Sequence, residues 1–216
     1  MALNFERLLL RAGKPQPKLT GDGIYYIYDY IPIKKFKKFS DEQIAITKDI
    51  WKYKDDKDDD VVETFDNVLW SAISYICDVV ETDYIGLVAV PSSKVEKTST
   101  CTKSIKHIIE CNRNSKTGNS YIWGKKVYDW SNLLKRVEDV PSAHEVPPPQ
   151  RPTYEDHKRT IRITNDKSLQ RYRTTFIILD DVTTRGDSMR ACRDILLEHG
   201  LKQNRVYCLS LSRTVH

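Results

Sequence analysis

Two uninterrupted apolar runs set the tightest limit on the fold: YIGLVAV at Tyr84–Val90 and TFIIL at Thr175–Leu179. Neither alternates with polar residues and both are short, so each fits a strand buried on both faces. Burial on both faces demands helices above and below the sheet. The segment 61–80 supplies one, with Val62, Phe65, Leu69, Ile73 and Ile76 at spacings of three and four. Lys94–Cys111 is a second helix. A third is predicted over Asp187–His199, where Met189, Cys192, Ile195 and Leu196 share a stripe and Gly200 is placed to end it. Arg205–Leu211 reads as a closing strand, and Gly23–Pro32 (GIYYIYDYIP) as an aromatic strand or hairpin arm. From residue 61 onward the strands and helices alternate. That order predicts an α/β fold, a Rossmann-like parallel sheet flanked by helices.

The remaining segments fit around this frame. Asn112–Asn119 is polar and reads as a loop, Tyr128–Val137 as a short strand or a helix, and Arg159–Ile163 alternates weakly. VPPPQRP, residues 146–152, cannot be helical. An irregular insertion is therefore expected over about 112–158, within a main domain of 51–216, with residues 1–50 as a small N-terminal extension or hood. Lys34, Lys35, Lys37 and Lys38 read as a solvated edge more readily than as a patch for an anionic partner. The five aspartates of Asp55–Asp60 suit the positive end of the helix that follows, and they lack the spacing of a calcium loop.

Composition narrows the function classes. With 39% hydrophobic and 30% charged residues, the 216-residue chain can bury a core. A net charge of +5 is too mild to mark a nucleic-acid binder. No apolar run approaches the ~18 residues of a membrane helix, and the short patch Leu8–Leu10 lacks a signal-peptide layout. Five scattered cysteines without a CxxC argue against a disulfide framework and a zinc ribbon. A soluble, cytoplasmic protein is expected.

The chemistry is concentrated after the second apolar run. Asp180 and Asp181 are followed by Val182, Thr183, Thr184, Arg185, Gly186, Asp187 and Ser188, and then by a helix. Adjacent carboxylates at the end of a buried strand repel each other unless they face hydroxyls, a metal or cations. A glycine turn opening a helix presents backbone N–H groups to an anion, here with hydroxyls from Thr184 and Ser188 beside it. Acids for sugar hydroxyls beside a phosphate cradle describe a site for a ribose 5-phosphate. In parallel sheets ligands bind beyond the carboxyl ends of the strands, which draws in Val90–Lys94 (VPSSK) after the first run. Rival readings exist. FIILDD also fits a Walker B strand, although no GxxxxGK[ST] occurs, and Val182 breaks the alternation of an aspartyl phosphatase. A plain capped strand–turn–helix junction would account for one acid, but not for two acids and a hydroxyl-rich turn.

FIILDDVTTRGDS (Phe176–Ser188) resembles the signature of type I phosphoribosyltransferases. The closest likeness is to the competence-associated, ComF-like branch. WKYKDD (Trp51–Asp56), LVAVPSS, RPTYEDHKRTIRI (Arg151–Ile163) and LSLSRT (Leu209–Thr214) resemble further segments of that branch, so the likeness spans about residues 50–214. It implies the type I phosphoribosyltransferase fold and phosphoribosyl pyrophosphate (PRPP) or a related nucleotide as ligand. It also implies Mg²⁺ carried with PRPP rather than on protein ligands, transfer of the sugar to a nitrogen nucleophile, and room for a homodimer. By the same resemblance Asp180 and Asp181 contact the ribose hydroxyls, Thr183–Ser188 hold the 5-phosphate, and Ser92, Ser93 and Lys94 hold the pyrophosphate. The chain departs from the family at Arg185, where a Thr is commoner, at Asp187, where a small residue is usual, and in lacking a four-cysteine ribbon before residue 50. Tyr25, Tyr26, Tyr28 and Tyr30 are candidates for a hood over a base. His157, Lys158 and Arg159 form a basic cluster whose default is a solvated loop. The alternatives are a non-catalytic PRPP- or nucleotide-binding regulator, or an accessory factor in DNA uptake, repair or defence.

Overall fold

A computed structural model describes residues 16–55, 59–80, 82–122, 124–142, 146–164 and 174–215. The Leu8–Leu10 patch and the middle of the acidic run lie outside them. The elements in chain order are β1 (Lys18–Leu19), β2 (Ile24–Tyr30), α1 (Asp41–Asp55), α2 (Asp59–Val79), β3 (Tyr84–Ala89), α3 (Thr100–Cys111), β4 (Ser120–Ile122) and β5 (Lys125–Asp129). They continue with β6 (Leu134–Arg136), α4 (Tyr154–Thr160), β7 (Ile161–Ile163), β8 (Thr174–Thr183), α5 (Asp187–Glu198) and β9 (Val206–Thr214).

The main sheet runs β1-β2-β9-β8-β3-β5-β4. Its five inner strands are parallel, with antiparallel β1 and β4 at the edges. The α/β architecture with a mostly parallel sheet between helices follows directly from the two apolar runs. Along β8, Ile177 and Leu179 face the core under α1, α2 and α3, and Phe176 and Ile178 face the core under α5. On β3, Ile85, Leu87 and Ala89 take the first face and Val88 the second. Both faces are covered, so neither strand can alternate with polar residues. Gly86 lies where Phe176 and Trp130 crowd β3; a Cβ there would stand 2.8 Å from the Phe176 ring.

The expected N-terminal extension is part of this sheet where it is described. β2 pairs in parallel with β9 from Ile24↔Cys208 to Tyr30↔Thr214, because Ile24 and Ile27 have cores to enter. The lysine run falls in a short 3-10 helix, Ile33–Lys38, whose Phe36 stacks on Trp51 of α1 at 5.9 Å. The expected insertion is largely structured. β4 and β5 extend the main sheet, and β6 pairs with β7 in a separate ribbon. Helix α3 starts at Thr100 instead of Lys94, where Ser99 caps it by accepting the Thr102 N–H. Cys192 is fully buried in the core under α5, as its place on the stripe predicts.

Candidate functional site

Sheet order creates the site. After β3 the chain crosses outward to β5, and after β8 it crosses the other way to β9. Loops that leave neighbouring strands in opposite directions open a crevice between them. A cleft of about 180 Å³ lies there, between Val90–Ser93 after β3 and the end of β8. It is walled by Asp180, Asp181, Ser188, Ser92, Ser93 and also by four basic side chains.

The acid pair sits inside β8, which continues to Thr183 because Asp180, Val182 and Thr183 remain paired with Ser210, Ser212 and Arg213 of β9. Successive strand residues point to opposite faces. Asp181 therefore continues the Ile177–Leu179 side, toward α1, and Asp180 continues the Phe176–Ile178 side, toward α5. The electrostatics follow that division. Lys54, in the last turn of α1, has its charged form favoured first by Asp181 and then by Asp180, against the opposing effect of burial. Asp180 accepts from the Ser188 hydroxyl at 3.4 Å and from the Asp181 N–H at 3.0 Å. Burial, and then the Asp181 charge, hold the Asp180 carboxyl well above the usual carboxylate range. Asp180 thus meets a hydroxyl, Lys54 acts on both carboxylates through space, and the charged form of Asp180 remains disfavoured.

A stability prediction follows. A carboxyl whose folded pKa is raised binds its proton more readily in the native state than in the unfolded chain. Its contribution to stability is therefore lost as pH rises from the ordinary aspartate range through the raised value. Asp180→Asn, which keeps the acceptor for the Asp181 N–H, is expected to stabilise the unliganded protein at neutral pH by on the order of 1 kcal/mol. The gain should vanish in acid, as urea melts at pH 7.5 and pH 4 will show. An equal or smaller stability at neutral pH would contradict this.

The turn after β8 has the expected shape. Gly186 adopts φ +76° as the N-cap of α5, and no side chain caps it. The first N–H groups of α5 therefore have no partner within the helix. Beside the turn the Thr183 hydroxyl is buried without a hydrogen-bond partner, and a Cβ on Gly186 would lie 3.7 Å from it. Asp187 does not confront an anion bare. Its carboxylate pairs with Arg185 at 2.9 Å and with Arg190. Arg185 also donates to the Pro152 carbonyl at 3.0 Å, so the two departures from the family pattern satisfy each other.

Of the residues read from sequence, Ser92, Ser93, Asp180, Asp181 and Ser188 meet in the cleft. Thr183 at the end of β8, Thr184, Arg185 and Gly186 in the turn, and Asp187 at the start of α5 stand beside it, and of residues 183–188 only Ser188 forms its wall. Lys94 is not in the wall. It pairs with Asp139 at 3.5 Å, because Asp139 holds this loop by accepting the Val95 N–H at 2.8 Å. The candidate hood tyrosines do not line the cleft either. Tyr25 packs on Tyr207, Tyr28 on Phe65 and Tyr30 on Trp51.

The basic groups of the cleft are Lys54, Lys97, Arg136 and His157. Lys54 lies within the WKYKDD segment quoted for the family likeness, yet its role was not legible. His157 does not sit on a solvated loop but on α4, where Thr153 and Asp156 form a capping box ahead of it. Burial, helped by the Arg136 charge, lowers the His157 pKa to about 4, which leaves the ring neutral.

No protein-family model matches the chain, and a search of curated proteins finds no significant match. Among the described residues no helix is long and apolar enough to cross a membrane.

Proposed function

We propose that this cleft binds PRPP, or a nucleotide carrying ribose 5-phosphate, and that the protein is a phosphoribosyltransferase of the type I fold. The observation that carries the reading is a single one. A partly buried acid pair lies near the carboxyl end of β8, which closes on the partnerless Thr183 hydroxyl and leads into an uncapped, glycine-turned helix N-terminus. Asp180 and Asp181 suit two neighbouring sugar hydroxyls, which donate to carboxylates. The backbone N–H groups of the turn, with Thr183, Thr184 and Ser188, suit a phosphate dianion.

In the reaction the bond from C1 of the ribose to the pyrophosphate oxygen breaks. A bond from C1 to the nitrogen nucleophile forms, and the nitrogen gives up a proton. The protein contributes position and charge: the turn fixes the 5-phosphate, and the acids fix the ring and favour positive charge developing near C1. Among the described residues no group of three or more His, Cys, Asp or Glu is arranged to hold a metal. Magnesium would arrive with PRPP, as the resemblance implies, and would mask the charge of the leaving pyrophosphate.

The test has two stages. Calorimetry with PRPP and magnesium should show saturable binding, and a panel of bases should then include one that releases pyrophosphate. Binding without release from any base identifies a PRPP-binding regulator instead. That Tyr25, Tyr26, Tyr28 and Tyr30, the candidates for a hood, do not line the cleft favours that second reading. Absence of binding removes both.

A further inference from the structure

We infer that Cys111, His107 and Asp66 form a reactive thiol site, separate from the cleft, that exchanges with small-molecule disulfides. All five cysteines lie among the described residues, and Cys111 alone is exposed. It is the last residue of α3, and His107 stands four positions before it. Residues so spaced share one face of a helix, and a helical side chain leans over the turn that precedes it. The Cys111 sulfur therefore leans over the turn that carries His107. Both residues border a cavity of about 280 Å³ between α2 and α3, together with Asp66, Trp70 and Ile108. Helix α3 starts in the wall of the cleft, at Thr100 and Cys101. Its twelve residues put Cys111 roughly 16 Å away from there.

The imidazole is held by a buried acid. Asp66, on α2, is only 3% exposed, and its Oδ2 lies 2.6 Å from His107 Nδ1. Burial raises the Asp66 pKa, and Ser104 and His107 oppose that rise. A carboxylate only accepts, so in this pair Nδ1 carries the ring proton and Nε2 keeps its lone pair. The His107 side chain is half-exposed and borders the cavity. Nucleophile, base and orienting acid thus stand in sequence. The helix end selects the chemistry. Carbonyl groups at a helix C-terminus disfavour a negative charge, so a thiolate at Cys111 forms favourably only beside the imidazolium it creates. Acyl transfer needs N–H donors for an oxyanion, but here the Asn112 and Arg113 N–H groups already donate to the Ile108 and Glu110 carbonyls. Thiol–disulfide exchange needs no such donors.

In the step, Cys111 Sγ passes its proton to His107 Nε2 and attacks one sulfur of the disulfide. The new S–S bond to Cys111 forms as the S–S bond of the substrate breaks. The departing sulfur takes the electron pair, then the proton from His107, and leaves as a thiol. Cys111 is oxidised, and the departing half of the disulfide is reduced.

The test incubates the reduced full chain with glutathione disulfide and follows the adduct by mass spectrometry. One adduct is expected, on Cys111, while the four buried cysteines stay unmodified in the folded protein. His107→Gln is expected to slow its formation on the order of 100-fold. His107→Ala is the second variant, and imidazole added to the buffer should restore part of its lost rate. Asp66→Asn should slow the reaction less and should shift the ring nitrogen signals of His107 away from the Nδ1–H form, a change that a merely structural acid would not cause. A folded His107→Gln that reacts at the wild-type rate overturns the site. A wild-type protein that gains no adduct on Cys111 overturns it too.

Discussion

Asp181→Ala is expected to reduce affinity for ribose 5-phosphate by roughly 100-fold or more while leaving the protein folded. A carboxylate that accepts two sugar hydroxyls contributes about 1.5–3 kcal/mol for each charged hydrogen bond, and each 1.4 kcal/mol is a factor of ten. The fold should survive because the change relieves repulsion. Asp181 is, after burial, the next cause of the raised Asp180 pKa. Lys54 loses its principal partner but keeps Asp180. Calorimetry beside a thermal melt separates the two effects. A folded variant that retains its affinity would show that the acids do not hold the sugar.

The second large effect concerns the turn. Gly186→Ala is expected to cost about 2–4 kcal/mol of stability, from a left-handed backbone and an overpacked core together. At φ +76° the new Cβ would stand 2.5 Å from Ile24 Cδ1 and 3.3 Å from an Asp22 carboxylate oxygen. Ile24 is itself fully buried under α5, so its methyl has little room to retreat. Gly118 provides the control: its φ is +67° and nothing lies within 4 Å of its Cβ position. Gly118→Ala should therefore show the backbone part alone, about 1–2 kcal/mol. Equal losses at the two positions in urea melts would mean that the contact with Ile24 is relieved without cost.

These residues also show what a sequence can reveal and what it hides. β3, β8, α2 and α5 were legible because each has a clean period or an unbroken apolar run. Their order alone gave the parallel sheet and pointed to its carboxyl end. The strand after Phe176 was expected to stop at Leu179, since two acids read as an ending, yet the ladder with β9 carries on to Thr183. Helix α1 was not predicted because only Thr47, Ile50 and Tyr53 of its fifteen residues are buried, too few to print a stripe. α4 was hidden behind a proline-rich stretch that ends just before its Thr153 cap.

The candidate site divides in the same way. Its acids and its glycine turn are contiguous in the chain, so they could be read together. Its cations come from three separate places, at 54, 97 and 136, and its neutral imidazole from a fourth, at 157, which only the tertiary fold assembles. Arg136 is the hardest case, because arginine is ordinarily exposed and nothing in its neighbourhood marks it for burial. Lys94 shows the converse: it adjoins the cleft in sequence, and Asp139 draws it away.

The central claim is that the acid pair of β8 and the amide-lined turn after it grip one phosphorylated pentose between them. A crystal structure of the protein with PRPP and magnesium tests this most directly. The account predicts the ribose hydroxyls on Asp180 and Asp181, and the 5-phosphate on the N–H groups between Thr184 and Ser188. Density for PRPP anywhere else, or a turn from Thr183 to Ser188 whose N–H groups bind nothing while the rest of the cleft is filled, would contradict it.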